Sequence, residues 1–432
     1  MKNSFTDLFT KELALLRRRT LPNGECKTSN GKLCTLCAGY KVNYDEEYIA
    51  KNKAVQKFLS DTSLGSAAEP LVRSPLGRHY RSISKRKAFR PKISHGGQVR
   101  SSQGIQSQRD FQFGLIGFDD ERETTFALPV DECVIEHETH GKVYRAVEEF
   151  FAKPENADFA ERFNYIIVKG NYEEQTVIFN LTSFDSIVRR YANMLSRFLT
   201  RRVPSIKSIF AFVDEERSRY YLSQRTPQRK REFKIRLQKI FGASEIFQQV
   251  NGKKFLYHPL SFSQTNPSVL PVFVETISAL LQPSQKHNLL DLYCGYGLFS
   301  LCLADTVKSA TGIEISYESV RDAVNNARRQ KAFHHRFIAS DISAESLEQI
   351  IHTDGSNTLA ILDPPRNGTK PGVIEFLAAK KIERAVHIFC NVEIMEGELE
   401  RWKNSGYRIT RVVPFDMFPG TDDVEIAAAV SR

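Results

Sequence analysis

Read for its alternation of apolar and polar positions, the chain has two textures. In the first, FQFGLIGF (111–118) and TTFALPV (124–130) flank a turn-prone DDERE and read as a pair of short strands. Helical spacing runs over 139–153 and 183–202, and the apolar runs FNYIIVKG, QTVIFNLT and SIKSIFAFV read as strands. EIFQQVNGKKFLYHP reads as a hairpin turning at Asn251-Gly252, a dipeptide that tolerates positive φ at both positions.

Near His258 the pattern changes. PSVLPVFVETISALLQ has the spacing of an amphipathic helix, and strand and helix patterns then alternate through NLLDLYCGYG, SATGIEI, the Ser-led SYESVRDAVNNARRQ, HHRFIASD, LAILDPP, RAVHIFC, RITRVVPF and EIAAAVSR. Such alternation predicts an α/β fold, a largely parallel sheet with helices on both faces. The expected organisation is a Cys-rich segment over 1–60, an α+β domain over 61–258 and a Rossmann-like domain over 259–432. No internal repeat is visible.

Composition narrows the class. With 432 residues, 41% apolar and 26% charged, the chain can bury real cores, and collagen, coiled-coil and disulfide-miniprotein compositions are excluded. No stretch reaches the roughly 18 apolar residues of a membrane span. The first twenty residues, MKNSFTDLFTKELALLRRRT, lack a signal peptide's apolar run and small-residue cleavage site, so a cytoplasmic protein is expected. The net charge of +10 favours a polyanionic partner. It is concentrated in the acid-free interval between Glu69 and Asp110 and in RTPQRKREFKIRLQK (225–239). Tyr80, Phe89, Phe233 and Phe241 lie in or beside these runs, so phosphate contact and base stacking are expected there.

Candidate chemistry gathers in the last third. The strand LLDLY runs into Gly295-x-Gly297, where glycines let the backbone turn sharply against a ligand; Glu314 ends the next strand, placed to hold ribose hydroxyls. Ser300 occupies the third glycine position of a dinucleotide fingerprint, so S-adenosylmethionine (SAM) and NAD both remain open on this feature. Asp-Pro-Pro at 363–365 is stiffened by its two prolines and resembles the substrate-side loop of methyltransferases that act on planar bases. Arg366 follows where amino-group methyltransferases carry an aromatic, and Cys390 stands at a strand end.

Together, the DPPR loop, Cys390-Asn391, FDMFPGTDDVE with Glu425, and SFSQTNPSV (261–269) resemble the RNA uracil-C5 methyltransferase family. The C-x7-C-x2-C spacing of Cys26, Cys34 and Cys37, with YRSISKRKAF and the isolated Cys133, is similar to the branch that acts on 23S ribosomal RNA and lacks a TRAM domain. The resemblance implies Cys390 as nucleophile and Glu425 as proton acceptor. It also implies Gln264, Tyr293, Glu314, Asp341 and Asp363 as cofactor contacts, and Asp363 with Arg366 as uracil contacts. Cys26, Cys34, Cys37 and Cys133 are implied as ligands of a [4Fe–4S] cluster, with zinc as the alternative. Val392, Asp423 and Leu298 depart from the family pattern, while Cys294 and Cys302 read as packing residues. The expected activity is SAM-dependent formation of 5-methyluridine in ribosomal RNA by a monomer, without membrane association. A transfer-RNA substrate is the alternative within that class, and a non-catalytic RNA-binding or ribosome-assembly protein is the alternative outside it.

Overall fold

A computed structural model describes residues 4–16, 37–38, 42–62, 64–89, 100–101, 104–105, 111–119, 124–130, 132–214, 237–352 and 355–432. Two helices come first, α1 (Phe5–Leu15) and α2 (Tyr44–Ser60), capped by Ser4 and Asn43 side chains. The strands β1 (Ile83–Phe89), β2 (Arg100–Ser101), β3 (Gly104–Ile105), β4 (Gln112–Asp119) and β5 (Thr124–Pro129) follow. Next come α3 (Glu138–Phe151), α4 (Ala157–Ala160), β6 (Phe163–Gly170), β7 (Gln175–Leu181), α5 (Ser186–Arg202), β8 (Ile206–Val213) and β9 (Leu237–Gly242). They build a seven-stranded sheet in the order β5-β4-β1-β6-β7-β8-β9, antiparallel except where β7 meets β8. α3 and α5 bury their apolar stripes on one face of it, around Phe113, Phe163, Phe179 and Leu195.

The hairpin β10 (Ile246–Val250) and β11 (Lys253–Tyr257) turns at Asn251 and Gly252, both at positive φ as the dipeptide predicts. The second half then runs α6 (Leu270–Leu281), β12 (Asn288–Leu292), α7 (Leu298–Cys302), β13 (Ser309–Glu314), α8 (Tyr317–Arg329), β14 (His335–Ala339) and α9 (Ala344–Ile350). It continues through β15 (Thr358–Leu362), α10 (Val373–Ala379), β16 (Arg384–Phe389), α11 (Met395–Asn404), β17 (Arg408–Phe415) and β18 (Glu425–Ser431). Their sheet has the order β14-β13-β12-β15-β16-β18-β17. The first five strands are parallel, and β18 and β17 close the edge antiparallel. The fold is α/β with mixed sheets, and the parallel part matches the strand–helix alternation read from the sequence.

Alternating strand residues serve two cores. Leu289, Leu359, Ile361 and Val386 face α6 and the β10–β11 hairpin. Leu290, Leu292, Leu362 and Phe389 face α9, α10 and α11, and also Phe5, Phe9, Val55 and Leu59 of α1 and α2. Thus the first two helices pack on the C-terminal sheet, far away in sequence.

α2 also carries charge inward. Lys51 and Asp416 form a 2.8 Å ion pair with neither side chain exposed, and Tyr44 donates to the second Asp416 oxygen at 2.9 Å. Glu47 pairs with Arg78 at 2.7 Å and accepts from the Gly420 N–H. These contacts clamp the 416–424 segment that leads into β18. Several members of the first basic run are similarly committed to structure. Arg86 is buried against Glu136 at 2.7 Å, and Tyr80, expected at an RNA surface, is fully buried with its hydroxyl donating to the Pro419 carbonyl. Phe241 is exposed, whereas Phe233 and most of the 225–239 run lie outside the described residues. Among the described residues, no helix is long and apolar enough to cross a membrane.

Candidate active site

Parallel strands deliver their carboxyl ends to one edge of the sheet, and the expected site residues stand there in strand order. Asp341 follows β14, Glu314 ends β13, Tyr293 follows β12, Asp363 follows β15 and Cys390 follows β16. Glu425 arrives on the antiparallel neighbour. Phe389 pairs with Ile426 in the antiparallel register of β16 and β18, so Cys390, one residue on, and Glu425, one residue back, stand at adjacent strand ends. Neighbouring Cα atoms across such a ladder lie about 5 Å apart.

The turn after β12 is strained where a ligand would approach. Tyr293 adopts φ +64°, sparsely populated by bulky residues, and Gly295 and Gly297 follow at +54° and +85°. Glu314 is anchored by the N–H groups of Gly295 (3.2 Å) and Ser316 (2.8 Å). Burial nevertheless raises its proton affinity. Asp291, beneath the turn, accepts from the Ser300 N–H at 3.0 Å, and burial carries it up to about 6. Burial, with Asp291 and Glu314 nearby, raises Asp363 to about 7. A concentration of recessed carboxylates of this kind suits a ligand carrying positive charge.

On the substrate side, Cys390 is half-buried and in no disulfide, with its sulfur 3.9 Å from the Pro364 carbonyl. Burial and the Glu425 and Asp363 carboxylates push the thiol up to about 12, against a lowering pull from Arg366. Glu425 is 2% exposed, and its Oε2 has no hydrogen-bond partner among the described residues. Burial and Asp363 raise it well above the usual carboxylate range, while Arg366 opposes them. Cys390, Glu425, Asp363 and Arg366 therefore share one electrostatic neighbourhood. The loop carrying two of them is held from behind, because Glu398 accepts from the Thr369 N–H at 2.9 Å and hydroxyl at 2.6 Å, with His387 3.1 Å away.

Gln264 is half-buried on the segment before α6, and Asn266 ties that segment to Ser74 Oγ and the Met417 carbonyl, both at 3.0 Å. Phe262, which sequence reasoning passed over, is 58% exposed beside Gln264. Its signal was an aromatic inside a polar motif. Asp423 was read only as a departure from pattern; it pairs with Arg366 at 3.1 Å. A concavity of about 460 Å³ lies at the opposite edge of the sheet, bordered by Asn288, Ser309, His334 and Arg336, and none of the expected site residues lines it.

Of the four expected cluster ligands, Cys26 and Cys34 lie outside the described residues. Cys37 and Cys133 interact electrostatically, neither in a disulfide, and the Cys133 thiol is driven strongly upward, first by burial and then by Glu136 and Cys37. The Cys37 sulfur comes within 4.0 Å of where a Cβ on Gly420 would sit. Among the described residues no group of three or more His, Cys, Asp or Glu side chains is arranged to hold a metal. Cys294 is buried and Cys302 half-buried, in keeping with packing roles.

Several known proteins are similar to this chain in sequence or fold. Residues 222–432 match the family model described as tRNA (Uracil-5-)-methyltransferase. An uncharacterized RNA methyltransferase of Geobacter sulfurreducens is 26% identical over 424 residues, covering 96% of this chain and 78% of the relative. The 23S rRNA (uracil(1939)-C(5))-methyltransferase RlmD of Haemophilus influenzae is 33% identical over 189 residues, 44% of this chain and 43% of that protein. The crystal structure of Pyrococcus abyssi tRNA (uracil-54, C5)-methyltransferase in complex with S-adenosyl-L-homocysteine aligns with a TM-score of 0.63 at 20% identity. It covers 92% of this chain and 86% of that one, a likeness of fold. Over residues 222–432 the chain is thus similar to the uracil-C5 RNA methyltransferases.

Proposed function

We propose that this protein uses SAM to methylate C5 of a uracil in RNA, with ribosomal RNA as substrate and a single chain as the working unit. The observation that supports this most directly is the placement of Cys390 and Glu425 at adjacent strand ends, where the thiol feels the charges of Glu425, Asp363 and Arg366. Uracil C5 is a weak nucleophile. Addition of the Cys390 thiolate to C6 moves an electron pair into the ring and makes an enolate, whose C5 then takes the methyl group. Glu425, as carboxylate, removes the C5 proton, and the C6–S bond breaks to restore the ring and release the thiolate. Arg366 lowers the proton affinity of both Cys390 and Glu425 and is the cation available to the developing enolate oxygen. Burial makes Glu425 a strong proton acceptor once ionised.

Gln264, Tyr293, Glu314, Asp341 and Asp363 are the residues assigned to hold SAM, and the recessed carboxylates at the strand ends fit a cationic group. When bound, SAM supplies a methyl group activated on a positively charged sulfur. A uridine in folded RNA has to leave its stack to reach Cys390; exposed Phe262 and Phe241 are available for stacking beside the runs of positive charge.

We assign Cys26, Cys34, Cys37 and Cys133 to an iron–sulfur cluster, with zinc as the alternative. What supports this among the described residues is that Cys37 and Cys133, nearly a hundred residues apart in sequence, interact electrostatically, with the Cys37 sulfur beside Gly420. Methyl transfer moves no net electrons, so the role of the cluster is structural. Iron and sulfide in anaerobically purified protein establish it; stoichiometric zinc establishes the alternative.

The central test is incubation with SAM and RNA containing 5-fluorouridine, whose C5 fluorine cannot leave as a proton. A denaturation-resistant protein–RNA adduct is expected, lost in Cys390→Ala. With ordinary RNA, Glu425→Gln is expected to accumulate the same kind of adduct and to lose at least about a hundredfold in turnover. Absence of any adduct in the wild-type chain excludes the mechanism and favours a non-catalytic RNA-binding role. Methyl incorporation into transfer RNA alone overturns the choice of substrate.

A further inference from the structure

The loop between β15 and α10 carries two cations, and each rests on an acid across the cleft. Arg366 pairs with Asp423 at 3.1 Å, and the Lys370 ammonium lies 2.7 Å from both oxygens of Asp341. The backbone around Lys370 is held: Thr369 is bound to Glu398 through its N–H and hydroxyl, and Pro371 follows. The Lys370 side chain itself is 55% exposed, so it can leave Asp341 by changing rotamer while the loop stays in place. The Asp341 side chain is 19% exposed, and the Tyr293 hydroxyl feels its charge.

A cofactor donor group that reaches Asp341 finds the Lys370 ammonium centred on both carboxylate oxygens, along the directions a bidentate donor would use. We propose that Lys370 is a tethered competitor of the cofactor at Asp341. Its ammonium and a donor group of the cofactor compete for the same carboxylate, so that Lys370 sets the cofactor affinity. This rests on the assignment of Asp341 as a cofactor residue made above.

The sign of the salt effect identifies such a competitor. Salt screens an exposed ion pair and weakens Lys370 as an occupant of Asp341. Cofactor affinity therefore rises with salt in the wild-type chain, opposite to the behaviour of a ligand held by attraction between exposed charges. Calorimetric titration of the full chain with S-adenosylhomocysteine at low and high potassium chloride tests this. Lys370→Met is expected to bind about two- to fivefold more tightly, the range set by an exposed pair, and with little salt dependence. Lys370→Arg keeps a cation on Asp341 and is expected to behave like wild type. Lys380→Met breaks a pair with Glu348 elsewhere on the surface and serves as the control with unchanged affinity. Binding by Lys370→Met that is weaker than wild type or unchanged overturns the competitor alone. If the wild-type chain takes up no S-adenosylhomocysteine, the cofactor assignment falls and the competitor falls with it.

Discussion

At Asp363 the carboxyl is held up to about 7 because it is recessed beside Asp291 and Glu314, and the shift has a measurable sign. The unfolded chain ionises this residue near pH 4, the folded chain near 7. Between those values the folded state holds the extra proton, so the residue's contribution to stability falls as pH rises. Asp363→Asn is therefore expected to raise the melting midpoint at pH 8 by at least about 2 °C, a gain that fades towards pH 4, while activity is lost. A midpoint unchanged at pH 8 contradicts the burial account. Cys390, Glu425 and Asp363 were legible as candidates because their residue types sit at strand ends in a recognisable order. Their proton affinities were not legible, because those come from neighbours far apart in sequence. Tyr80 and Arg86 show the same limit from the other side: inside a basic run they read as RNA contacts, but a carbonyl at 419 and a carboxylate at 136 draw them inside.

α2 is the element that links the amino-terminal end to the chemistry. Its Lys51 and Glu47 are both buried, one on Asp416 and the other on Arg78 and the Gly420 amide, so the helix braces the segment entering Glu425. Lys51→Met leaves Asp416 buried with its partner removed, which costs about 3–5 kcal/mol by analogy with broken buried pairs. Chemical denaturation should show that loss, and replacing Lys51 and Asp416 together by apolar residues of similar volume should recover most of it. The sequence pattern did not reveal α2, because two of its inward positions are charged and interrupt the apolar stripe. α8 also turns polar groups inward, yet its start was legible. Ser316 caps it, and Glu318, Asp322 and Asn326 are buried among Val320, Ala323 and Ala327.

Across the whole molecule, α1 and α2 share a core with the C-terminal sheet although hundreds of residues separate them. Phe9 is fully buried there, stacked on Phe5 with ring centroids 6.1 Å apart. Phe9→Ala is expected to destabilise that sheet by about 3–5 kcal/mol, seen as faster amide exchange in α10 and α11, while exchange in the β6–β7 pair stays unchanged. The sequence by itself determined the alternating strands and helices after residue 258 and the Asn251-Gly252 hairpin, and it marked Cys390 as the candidate nucleophile. Each of these depends on residues close together in the chain or on a motif at one strand end. Only the tertiary structure decided that Glu425 and Cys390 stand at adjacent strand ends, that α1 and α2 join the catalytic half, and that Lys370 sits on Asp341. Those outcomes are set by sheet order and by side chains meeting across loops, where spacing along the chain carries no information.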